Sequence, residues 1–199
     1  MTAQSVPAGR AWTIADAQAD MRHAYLGGAT GLLASASAWL AAGLVALNGT
    51  ATHAVLTLLV GGMLIHPVSV LLTKLLGRPG VHAKGNPLGT LALEGTVWML
   101  LGIALAFCIS LWRSELFFPA MLLIIGGRYL TFATVYGMRA YWLCGAVLAV
   151  AGLLLAALVT SMAAGAFTGA AIELAFAVAF YRGQRSRLRR EREPAPASP

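Results

Sequence analysis

Apolar residues run along this chain in long blocks, not in a periodic stripe. Six blocks, at residues 25–47, 54–74, 88–111, 116–136, 140–160 and 162–181, each approach the ~20 residues an α-helix needs to cross ~30 Å of hydrocarbon. The breaks between them carry turn chemistry: Asn48-Gly49, then Gly77-Arg78-Pro79-Gly80, then Gly85-Asn86-Pro87. Asn86 is placed to cap the third block, with Pro87 at its first helical position. Run length and the lack of period-two alternation exclude a β-barrel. Upstream, Thr13 can cap a short helix over 14–24, with Ile14, Ala17, Met21 and Tyr25 at helical spacing and Asp16, Asp20 and His23 on another face. That pattern predicts a helix lying at the membrane surface. The expected fold class is therefore all-α: a polytopic six-helix membrane bundle over 25–181, preceded by a surface segment at 1–24 and followed by a tail at 182–199.

Composition agrees. Of 199 residues, 59% are apolar and 11% charged, against about 45–50% and ~25% in soluble domains, so lipid must cover what polar surface cannot. The net charge of +7 loses its nucleic-acid meaning once its location is read. Six of the 14 basic residues lie in the last 18: Arg182, Arg185, Arg187, Arg189, Arg190 and Arg192. A basic tail past a span reads as an anchor on anionic lipid head groups, and no nucleic-acid partner is expected. With the N-terminus inside, 12 of the 14 Lys and Arg fall on the cytoplasmic side, Arg113 alone lies outside, and Arg128 is within a span. The positive-inside rule thus puts both termini in the cytoplasm. Cys108 and Cys144 fall in apolar blocks as small hydrophobes, and no metal-ligand spacing is present. The Asn48-Gly49-Thr50 sequon lies in a short loop against the membrane, where glycosylation is not expected.

Four ionisable residues interrupt the blocks: His66, Glu94, Arg128 and Glu173. A charge at the centre of a spanning helix costs roughly 2.5–3.5 kcal/mol on insertion scales, and such residues usually mark a functional site. Counted from the cytoplasmic ends of their spans, all four sit roughly 9–12 Å deep at ~1.5 Å per residue, which predicts one polar layer. Arginine stays protonated, so one carboxylate is expected to pair with Arg128 and the other to hold a proton. Glu94–Arg128 is the expected pair, because the third and fourth spans form a hairpin. Gly62, His66, Ser69 and Thr73 recur at helical spacing beside the helix-loosening Pro67. Trp98, four residues after Glu94, is placed to screen it from lipid, while Trp39, Trp112 and Trp142 suit an aromatic belt. Gly165, Gly169 and Glu173 share one face of the last span, so a close backbone neighbour is expected there, from this chain or a second copy.

The segment Asn86-Pro87-Leu88-Gly89, with Gly127-Arg128-Tyr129-Leu130 and Met138-Arg139-Ala140-Tyr141, resembles an uncharacterised bacterial family of small multi-span membrane proteins. The resemblance implies a fold and no mechanism, and carries no functional residues over. Catalytic motifs are absent, the loops are short, and neither an enzyme nor a cofactor is expected. The leading expectation is a small proton-linked transporter or channel of the bacterial inner membrane. In it Glu173 or Glu94 accepts the proton, Arg128 is the electrostatic partner and His66 a relay, with Ser69, Thr73 and Trp98 in support. The alternative is a non-transporting scaffold or partner-binding protein, in which the same charges order the bundle. A homo-oligomer is a candidate partner in either case.

Overall fold

A computed structural model describes residues 11–192, with side chains through Ser186. The polar N-terminal segment at 1–10 and the side chains of the tail arginines beyond Ser186 lie outside what is described. The described residues form seven α-helices: α1 (Ile14–Tyr25), α2 (Ala29–Asn48), α3 (Ala51–Leu75), α4 (Pro87–Trp112), α5 (Phe117–Tyr136), α6 (Ala140–Ala157) and α7 (Met162–Arg192). Six helical segments are long and apolar enough to cross a membrane, and the protein is a multi-pass membrane protein. α7 runs past the predicted end of the sixth span at 181, as one continuous helix into the basic region.

The predicted caps form. The Thr13 hydroxyl accepts from the Asp16 N–H at 3.1 Å, and Asn86 Oδ1 accepts from the Leu88 N–H at 3.0 Å with Pro87 following. Each satisfies an N–H that an α-helix leaves unpaired at its start. Between α1 and α2, Leu26, Gly27 and Gly28 all have positive φ, of 52°, 60° and 83°. Glycine enters this region without steric cost, which lets the chain turn from α1 into the first span. The turn is clamped where Tyr141 Oη donates to the Gly27 carbonyl at 2.8 Å.

α1 does more than float at an interface. Ala17, Met21 and Ala24 are buried, and the polar face is bonded to the rest of the chain. Asp20 Oδ2 accepts from the Ala83 N–H (3.0 Å) and Asn86 Nδ2 (2.8 Å). Gln18 donates to the Thr134 carbonyl at 2.8 Å and Arg22 to the Tyr136 carbonyl at 2.6 Å. α1 thus ties the α3–α4 loop to the end of α5, forming a plate across one end of the bundle.

Among the helices, α2 packs against both α3 and α7, and α5 against both α4 and α6. Glycines set the closest approaches. A Cβ on Gly126 would stand 2.8 Å from the Gly145 carbonyl, and one on Gly145 would stand 2.6 Å from the Gly126 carbonyl. Only hydrogen at both positions permits this crossing of α5 and α6. On α7, Gly165 meets Phe118 and Gly169 meets the Trp39 indole, so the Gly-x-x-x-Gly face finds its neighbours within this chain.

Candidate functional site

The four predicted intramembrane residues do not converge. Only Glu173 is fully buried, at 0% exposure. On α7 it belongs to the inward stripe Ala166, Ala170, Glu173, Ala177 and Phe180, which recurs at three- and four-residue steps. Tyr129 of α5 donates its hydroxyl to Glu173 Oε1 at 2.6 Å. Ser35 and Trp39 present their polar groups to the same carboxyl from α2. Oε2 is buried with no hydrogen-bond partner among the described residues. Three helices therefore meet at one carboxyl that has one oxygen satisfied and one not.

Aromatic rings close this site on the side of α5 and α6. Tyr129 lies 5.8 Å from Tyr141, Tyr141 stacks on Tyr136 at 5.5 Å, and Phe180 meets Tyr141 edge-on at 4.7 Å. Trp39 of α2 packs against Phe118 of α5 at 5.9 Å. Tyr129, Ser35 and Trp39 are the partners that sequence reading missed. Tyr129 left one signal, a residue with a polar tip in an apolar block next to Arg128. Nothing in the sequence places Ser35 against Glu173.

Arg128 faces the other way. It lies on the α4 side of α5, with its guanidinium carbon 4.8 Å from the centre of the Phe132 ring. Its Nη1 is buried without a hydrogen-bond partner among the described residues. The expected Glu94–Arg128 pair does not form: the ion pair found among the described residues joins Arg113 and Glu115 in the α4–α5 loop. Glu94 is exposed on the outer surface of α4. The helix turns its stripe Leu88, Ala92, Gly95, Met99, Gly102 and Ala106 inward, and Glu94 stands one residue, or about 100°, off that line.

His66 departs from expectation for the same reason. α3 faces α2 through Ala54, Leu58, Gly61, Ile65, Ser69 and Thr73, and His66 is one residue past Ile65, pointing outward. Ser69 and Thr73 support no histidine site. Both bond Thr30 of α2, at 3.2 Å and 2.7 Å between hydroxyl oxygens, and so make an inter-helix hydroxyl cluster. Trp98 is 75% exposed, on the same outward face of α4 as Glu94. Among the described residues no cluster of His, Cys, Asp and Glu is arranged to hold a metal.

The chain belongs to a family of unknown function, DUF7010, whose sequence profile matches residues 14–183. No curated protein and no solved structure matches it.

Proposed function

We propose that this multi-pass protein is a small proton-linked transporter of a bacterial inner membrane, with both termini cytoplasmic and Glu173 as its proton site. The single observation that carries the reading is the orphaned Oε2 of a fully buried carboxyl. An ionised carboxylate in the packed interior with one oxygen unpaired is costly, and a proton on Oε2 removes that charge. Such a site holds a proton while closed and exchanges it when water enters, which is the coupling element a carrier needs. At the α2–α7 contact Gly43 lies against Phe167 and Gly169 against Trp39, so an aromatic ring of each helix seats in a glycine notch of the other. The inward bias of Lys and Arg supports the orientation.

A scaffold reading draws on the aromatic enclosure, which would keep the carboxyl dry and the bundle ordered. Two measurements separate the readings. In proteoliposomes containing a pH dye, a panel of amino acids, organic cations, organic acids and sugars is added outside. A transporter gives a luminal pH change for one class in the wild type and none with Glu173→Gln. In parallel, Ser35→Cys in a Cys108→Ala, Cys144→Ala background is exposed to a small water-soluble thiol reagent. Labelling supports a site that opens to water. No pH response to any class together with no labelling would establish the scaffold.

A further inference from the structure

Arg128 lines a groove of about 290 Å³ between α4 and α5. Gly95, Trp98, Met99 and Gly102 form its α4 wall, and Gly127 and Thr131 flank Arg128 on α5. The groove opens outward, because Trp98 and Gly127 at its edge are exposed. It is apolar apart from the guanidinium and the Thr131 hydroxyl. The charge is uncompensated there: Phe132 covers one face of the guanidinium, Nη1 has no hydrogen-bond partner among the described residues, and Glu94 makes no ion pair with it. Gly95 and Gly102 keep the wall low where it meets Thr131 and Ile124.

We propose that this groove binds a monoanionic organic acid with an apolar body, entering from the lipid phase. One fixed cation calls for one negative charge, and the planar guanidinium matches a carboxylate through two parallel hydrogen bonds. Met99, Leu123 and the Trp98 indole supply the surface along which an acyl chain or aromatic ring lies. The volume is near the lower limit of ordinary ligand pockets, which selects a short body. Depth selects the head group. Arg128 is eight residues from the end of α5, or roughly 12 Å along the helix, so a phospholipid phosphate would have to leave the interface to reach it. A lone carboxylate brings far less water with it. The site is separate from Glu173: Arg128 turns toward α4, about 100° around α5 from Tyr129, which bonds Glu173.

The test uses the whole protein in phosphatidylcholine nanodiscs, with 8-bromooctanoate as the probe and 8-bromooctan-1-ol as its neutral match. Bromine quenches tryptophan emission at contact, and Trp98 is the reporter. The acid is expected to quench saturably, at a concentration at least tenfold below that of the alcohol, and Trp98→Phe is expected to remove that signal. Arg128→Gln should abolish the saturable phase. Gly127→Leu tests the same point in a variant built to fold, since a Cβ at Gly127 meets no atom within 4 Å. It keeps the arginine and fills the groove, and is expected to weaken the acid at least tenfold. Equal quenching by acid and alcohol would overturn the proposal, as would unchanged binding to Gly127→Leu. So would binding that appears only after Glu94→Gln, which would mean that Glu94 occupies the arginine in the native protein.

Discussion

α2 and α5 share the interior of this bundle, whereas α3 and α4 stand at its edge. Half of each of the first two spans is buried, against 11% of each of the others. The more exposed pair is also more apolar than the buried pair, and α6, second in apolarity, is third from last in burial. In a soluble protein the order would be reversed. In a bilayer, lipid is as apolar as leucine and gives no drive to hide a hydrophobic face, so small and polar residues mark helix contacts instead. Gly126, Gly145, Ser35, Glu173 and Tyr129 lie inside, while Leu64, Leu71, Leu101 and Leu111 face out.

This contrast breaks most sharply at glycine. Gly145→Ala forces a Cβ against the Gly126 carbonyl, and rigid backbone cannot yield as a side chain can. It is expected to cost about 3 kcal/mol or more, at the upper end of overpacking, in a denaturant titration of the purified protein. Gly62→Ala, on the outer face of α3 with no atom within 4 Å of its Cβ, should leave the midpoint unchanged or raise it. Tryptophan gives a difference of similar size. Trp39→Ala empties a site 1% exposed and should cost about 3–5 kcal/mol if the cavity does not collapse, while Trp112→Ala, 90% exposed, should cost far less in the same titration.

Tyr129→Phe sharpens the comparison at the polar site. It removes the hydroxyl that donates to Glu173 Oε1 and should cost about 1–2 kcal/mol. The double variant Tyr129→Phe, Glu173→Gln separates the pair's coupling from its parts. The smallest effect is expected at the α2–α3 hydroxyls. Thr30→Val removes its bonds to Thr73 and Ser69, and inter-helix hydrogen bonds in membranes average ~0.6 kcal/mol.

The spans were legible because their signals are local. Apolar run length, Asn86-Pro87 and Thr13 fixed helix ends to within a few residues: 88–111 was expected where α4 covers Pro87–Trp112. Their rotations were not legible. His66 and Glu94 each sit one residue from an inward stripe, and with leucine on every side of α3 and α4 no amphipathic contrast reveals that offset. Glu173 was legible as inward because glycine at 165 and 169 shares its face. The docking of α1 was hidden for another reason. Its polar face, which reads as solvated, is consumed by bonds to Ala83, Asn86, Thr134 and Tyr136, all more than 60 residues away in sequence.

The intramembrane polar groups divide, with Glu173 in the packed interior and His66 and Glu94 on outward faces of their helices. Spin labels at single cysteines replacing residues 66, 94 and 173, in a Cys108→Ala, Cys144→Ala background in bilayers, test it most directly. Collision rates with oxygen, which concentrates in lipid, and with a water-soluble nickel chelate give the local medium. The division predicts high oxygen and low nickel access at 66 and 94, and little of either at 173. Nickel access at 66 and 94 with oxygen excluded would contradict it, and would return both residues to a shared aqueous site with Glu173.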